Sequence, residues 1–291
     1  MKLETAPLLE APKKINVATY VQEIRSSDTR PPIKVSDVVT THAVVAGGGL
    51  MFVGLGWPGW GPTEEGPIRV LGYVLVSLGV LAFVFAVGYG VPRIVGLVKN
   101  QPRRLLVEKR FAAVNDFAFC LSRPHDRPPF TGIPFRMGED RVSFEVMRSN
   151  QLPFVEWGNY RYSLKRNGGR NVTFVAWGYL RVPLAGNVPN ALFCLSKVKQ
   201  MRRLTRIDLP RSPASVSPYD LYCEPRDEKV VMSVLDSDMV ALLRNNKFSF
   251  EFAEGYFYVH FAGLFRFWKP ETVTLLAEIV SRVEAIRLSE S

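Results

Sequence analysis

The chain has 291 residues, 47% of them hydrophobic and 22% charged, with a formal net charge of +10. That length holds one or two domains, and a composition this rich in apolar residues excludes a disordered or fibrous chain. Three widely spaced cysteines, Cys120, Cys194 and Cys223, form no CxxC pair, which argues against a disulfide framework or a zinc site and fits a reducing compartment.

Residues 1–37 carry Lys13-Lys14, several acids and Pro31-Pro32 but no apolar core of a secretory signal, so they read as a polar tail. Residues 38–57 carry no charge and are about as long as one crossing of the hydrocarbon core. This segment is rich in glycine, and Gly47, Gly48 and Gly54 are the expected points of close helix packing in lipid. Trp57-Pro58-Gly59-Trp60-Gly61-Pro62 then breaks the helix. Residues 70–91 form a second uncharged run of Leu, Val and Phe, with Pro92-Arg93 as its end or a kink. The expected fold class is thus a two-helix transmembrane hairpin over residues 38–98, followed by a cytosolic, mainly antiparallel α+β domain over residues 99–291. The loop between the spans holds Glu64, Glu65 and only Arg69, whereas Lys13, Lys14, Arg93, Lys99, Arg103 and Arg104 flank the spans. The positive-inside rule places both termini in the cytoplasm of a bacterial inner membrane, with the protein multi-pass.

Past the membrane region, Arg103–Asp116 has apolar residues at helical spacing. A short apolar run, Phe117–Leu121, precedes a proline loop over Arg123–Pro134. Alternating segments then dominate. Residues 154–164 and 172–184 flank Asn167-Gly168-Gly169, a strong hairpin signal, and Trp157-Gly158 in one arm echoes Trp177-Gly178 in the other. Further strands are expected at 141–147, 191–195, 221–223, 248–252 and 256–261. Asp236-Ser237-Asp238 offers cap oxygens for a short helix, and Pro270–Leu288 should form a last helix with Val273, Leu276, Ile279, Val280 and Val283 as its apolar stripe.

The segments Glu156–Tyr162, Trp177–Leu184, Tyr219–Cys223 and Val234–Leu243 resemble a family of bacterial, chiefly actinobacterial, membrane proteins with two spans and a cytosolic domain of unknown function. The resemblance covers roughly residues 40–290 and implies topology and domain extent. It implies no activity. Trp157 and Ser237 depart from it, standing where that family tends to have an aliphatic residue and a proline.

No nucleotide, nucleophile-elbow or Cys–His signature is present. His42, His125 and His260 lack a His or Cys partner at metal spacing and read as structural or surface histidines. Glu139-Asp140 and Asp227-Glu228 read as solvated turns. No cofactor or metal is expected, and no catalytic residue is assigned. Charge is the distinguishing feature. Between Trp157 and Ile207 there is no acid, while ten bases occur, among them Lys165, Arg166, Arg170, Lys197, Lys199, Arg202, Arg203 and Arg206. Beneath an anionic leaflet each such base contributes about 1 kcal/mol of attraction. The expected function is a membrane-anchored, non-enzymatic binding or scaffolding module contacting anionic lipid headgroups, with a membrane-protein partner or a second copy as further partners. An enzyme of unrecognised type is the alternative. So is a polyanion-binding membrane protein, although tethering argues against a sequence-specific nucleic-acid reader.

Overall fold

A computed structural model describes residues 3–11, 14–26, 35–56, 66–152, 154–166, 171–184, 187–195, 209–216 and 218–289. Two compact units result, Lys13–Arg104 and a second formed by Met1–Pro12 with Leu105–Ser291.

The first unit is helical. Helix α1 (Ala6–Leu9) belongs to the other unit; the helices here are α2 (Lys14–Ser26), α3 (Val35–Gly56) and α4 (Pro67–Val114), whose residues from Leu105 on belong to the sheet unit. Part of α4 is long and apolar enough to cross a membrane. Helix α3 contains a shorter apolar stretch, Ala43–Leu55. A second membrane span therefore does not follow from the structure. Of the end or kink expected at Pro92, the end does not occur, since Pro92 and Pro102 both lie inside α4. Proline within a helix costs a hydrogen bond, but here the segment expected as a separate amphipathic helix continues the same helical run. Residues 14–26, read as tail, are helical as well.

Helices α3 and α4 meet at Gly49 and Gly79. A Cβ on Gly49 would lie 2.7 Å from the Gly79 carbonyl oxygen, and one on Gly79 would lie 2.8 Å from the Val53 backbone nitrogen. Gly47, Gly48 and Gly54 have nothing within 4 Å of an added Cβ. Helical phase explains the difference, because only one face of α3 is turned toward α4.

The second unit is built on a sheet of nine described strands in the order β1-β2-β3-β4-β9-β8-β5-β7-β6. These are β1 (Phe117–His125), β2 (Glu139–Ser149), β3 (Glu156–Arg166), β4 (Asn171–Pro183), β5 (Ala191–Leu195), β6 (Arg211–Val216), β7 (Tyr219–Cys223), β8 (Phe248–Ala253) and β9 (Tyr256–Phe261). Every neighbouring pair is antiparallel. The first four strands form a meander, and the β8–β9 hairpin is inserted between β4 and β5. Glu254 and Gly255, both at positive φ, make its two-residue turn.

Strand β1 runs through Pro124 to His125, beyond the apolar run and into the expected proline loop, with Pro124 opposite Val142. It is an edge strand, and an edge tolerates a proline that cannot donate to a ladder. Strand β6, with Pro213 at the opposite edge, and the short helix α5 (Glu228–Ser233) had no periodic signal. Glu139 and Asp140 open β2, so they are not a free turn. Asp140 Oδ2 accepts from Ser163 Oγ at 2.7 Å, and Glu139 pairs with Lys165.

Both faces of the central strands are buried. On one face Trp157, Leu180, Val182, Phe193, Phe250, Phe257 and Val259 pack with Phe111, with Met239 and Leu243 of α6 (Ser237–Asn245), and with α7 (Pro270–Ser289). The expected stripe of α7 is fully buried, and the Asp236 carboxylate accepts from Met239 N as a cap. The N-terminal residues join this face. Leu8 packs in the core, and Asn115 Oδ1 accepts from Glu4 N at 2.7 Å. The other face carries Tyr160, Tyr162, Trp177, Tyr179, Leu192 and Tyr258, covered by Phe130, Ile133 and Phe135 of the 126–138 connection.

Candidate functional site

The aromatic face holds the polar chemistry, and the β3–β4 register explains how. Trp157 lies opposite Leu180 and Tyr160 opposite Trp177, so the two echoed tryptophans point to different faces. Each echoed glycine makes room for a large ring. A Cβ on Gly158 would come within 3.0 Å of the Tyr179 hydroxyl, and one on Gly178 within 2.7 Å of the Phe265 ring. Asn159, opposite Gly178, holds Phe265 from the other side. Its Oδ1 accepts from Phe265 N at 2.8 Å, and its Nδ2 donates to Phe265 O at 3.2 Å and to Glu145 Oε2 at 2.8 Å.

Two cavities open on the aromatic face. The first, about 390 Å³, lies beside Glu251 and is bordered by Thr131, Ile133, Arg136, Asn190 and Leu209. Glu251 and His260 are both almost wholly buried, with His260 Nε2 2.6 Å from Glu251 Oε1. Ile133 N donates to both carboxylate oxygens, at 2.9 and 3.1 Å. This fastens the covering 126–138 connection to the sheet. A Cβ on Gly132 would collide with the same carboxylate. Tyr258 stacks on the imidazole at 6.0 Å and contacts Thr131 Oγ1 through its hydroxyl at 3.3 Å. The pair's polar demand is met mainly from within, which marks it first as a structural clamp.

The second cavity, about 280 Å³, lies over β1, β2 and β3 and is bordered by Cys120, Arg123, His125, Ser143, Arg148 and Glu156 among others. A bulge at Glu145, which has a φ of 52°, shifts the β2–β3 register between Phe144 and Met147. The inserted residue lets Ser143 and Val146 line the same cavity despite their odd spacing. Two separate hydrogen bonds lie here: His125 Nε2 is 2.8 Å from Ser143 Oγ, and Tyr179 Oη donates to Glu156 Oε1 at 2.7 Å. Burial, with Arg123 adding to it, holds the His125 imidazole below its ordinary 6.5. Burial and the Glu156 charge push Tyr179 well above its usual 10. Arg181 closes the face nearby, with its guanidinium 3.6 Å from the Tyr256 ring centre and 4.7 Å from that of Phe130.

His125 and His260 were each expected to be scattered structural or surface residues. His260 is a buried residue paired with Glu251, whereas His125 borders a cavity and meets Ser143. No sequence spacing brings His125, Ser143, Glu156 and Tyr179 together, because four strands and a bulge do so. Of the basic window, Lys165 ends near Glu139 and shares its charge with it. Arg166 closes β3. Arg170, Lys197, Lys199, Arg202, Arg203 and Arg206 lie outside the described residues. The three thiols are free, with Cys194 and Cys223 buried. Among the described residues no group of three or more metal-binding side chains converges. No family model matches this chain, and no curated protein or solved structure is similar to it.

Proposed function

We propose that the chain is a bacterial inner-membrane protein whose helices α3 and α4 anchor the sheet domain at the cytoplasmic face, where it serves as a non-enzymatic binding or scaffolding module. The carrying observation is the surface of α4, where Leu71, Val74, Leu78, Leu81, Val84 and Phe85 are all exposed. A soluble core helix would bury such a row, and an apolar strip of this extent matches hydrocarbon better than water. The charge flanks put both termini on the cytoplasmic side. There the bases from Lys165 to Arg206 meet anionic headgroups. Gly47, Gly48 and Gly54, unused between α3 and α4, leave room for a helix of a membrane partner or of a second copy.

Alkaline carbonate extraction of cells making the full chain tests the anchor. Retention in the membrane pellet is expected, and release into the supernatant would refute the anchor. For the headgroup contact, hydrogen exchange of Lys197–Arg206 is compared in neutral and anionic nanodiscs at low salt. Slower exchange in the anionic discs is expected, and equal exchange sinks the contact.

A second reading, an enzyme, is favoured by one observation: His125, Cys120 and Glu156 converge on a single cavity. It requires a reaction that His125→Gln abolishes while membrane retention stays unchanged.

A further inference from the structure

Residues 3–10 belong to the sheet unit, although the whole of Lys13–Arg104 separates them from its remainder in the chain. They are fixed to the end of α4 at three points. Asn115 grips the backbone of Glu4 twice, its Oδ1 accepting from Glu4 N at 2.7 Å and its Nδ2 donating to Glu4 O at 2.9 Å. The same Nδ2 donates to Phe111 O at 2.9 Å, which holds the amide against the helix. Leu8 is buried in one apolar cluster with Val107, Phe111 and Ala112, and Leu3 packs against that cluster. Arg110 donates to Glu10 Oε2 at 2.9 Å, an exposed pair that contributes little by itself. Residue 4 meets residue 115 and residue 10 meets residue 110, so the segment runs antiparallel to α4.

Chain connectivity makes these contacts conditional on the membrane. A chain that leaves a compact unit at Pro12 and re-enters it at Leu105 can seat Leu8 only when both ends lie on one side of a bilayer. An even number of crossings satisfies this. A single crossing fails in either orientation. On the anchor reading, α4 supplies one crossing. Helix α2 has 13 residues, among them Lys14, Glu23 and Arg25, and is too short and too polar to supply another. Helix α3 has 22 residues, which is long enough for the return.

We propose that residues 3–10 are a clip that seats on the sheet domain only after α3 and α4 have both crossed, so that correct insertion completes the core of the domain. The clip rests on the anchor reading for α4. A chain that crosses once keeps Leu8 and its seat on opposite sides, and the cluster around Phe111 then lacks that side chain. Folding of the sheet domain thereby registers the topology of the membrane helices, with no second protein involved.

Thiol crosslinking in native membranes tests the proposal. The full chain carries Glu10→Cys and Arg110→Cys, with Cys120→Ala leaving only the buried Cys194 and Cys223. A short bismaleimide should join positions 10 and 110 within one chain, read as a crosslinked peptide by mass spectrometry. Adding Val44→Arg and Met51→Arg, at exposed positions on α3, puts two charges into its apolar run and blocks its crossing. The crosslink should then disappear in membranes and return once detergent removes the two sides. Asn115→Ala should speed amide exchange of residues 3–10 at least about tenfold and leave α7 unchanged. No crosslink in the unblocked, membrane-retained chain, a crosslink between two copies, or a crosslink in membranes that retain the blocked chain would each overturn the clip alone. Release of the unblocked chain by carbonate, with the crosslink present, refutes the anchor and overturns the clip with it.

Discussion

Single buried polar groups carry the most at the residue scale. Glu251 answers both His260 and the Ile133 amide, so Glu251→Ala strands two buried donors at once. A loss of roughly 3 kcal/mol in unfolding free energy is expected, measurable by chemical denaturation. Released from its carboxylate, the 126–138 connection should also exchange its amide hydrogens faster. His125 gives a pH dependence whose sign follows from its lowered pKa. Above 6.5 the ring is neutral both folded and unfolded. Below 6.5 the unfolded chain takes up a proton that the native ring resists, so stability falls with pH until the lower native pKa is passed, and then levels off. His125→Gln should flatten the melting temperature between about pH 7 and about pH 5 by removing this contribution.

Glycine placement decides packing at the level of elements. Gly79→Leu should separate α3 from α4, because a Cβ there already meets the Val53 backbone. Gly47→Ala and Gly54→Ala should leave the pair intact and even favour helix by about 1 kcal/mol. Cysteine crosslinking between α3 and α4 in membranes distinguishes these outcomes. Within the sheet, Gly178→Val should push the Phe265 ring off β4 and loosen the 262–267 segment. Gly255→Val should weaken the β8–β9 turn, where φ is 77°. Neither glycine borders the cavity over β1–β3. The bulge at Glu145 differs in kind, because it re-aims Ser143 and so belongs to the cavity.

Two-sided burial of one sheet sets the behaviour of the whole molecule. Tyr160, Tyr179, Tyr219 and Tyr258 all have their phenol pKa raised, with burial as the largest cause. In the unfolded chain they ionise near 10, so the native state holds their protons longer and stability declines as pH rises above 10. The phenolate ultraviolet absorbance of these four should appear only with unfolding, in one cooperative step with loss of circular dichroism. A gradual rise before unfolding would mean that the aromatic face is open to water.

Local pattern was enough for much of this protein. Apolar runs without charge mark the helices, alternation and turn residues mark the β3–β4 and β8–β9 hairpins, and the stripe of α7 lies where its period puts it, because these features depend on neighbours in the chain. The end of α4 at Val114 rather than Pro92, the strand passing through Pro124, and the edge strand β6 depended on what lies alongside each segment. Lys197–Arg206 stands out by charge alone, and its partner is a matter for the lipid experiment. The cavity was not legible at all. His125 reads as a lone histidine in a proline loop, Ser143 as an ordinary strand residue and Tyr179 as cross-strand packing. Only register, a bulge and the pairing of four strands bring His125 to Ser143 and Tyr179 to Glu156, since contacts between distant residues leave no periodic trace in the chain.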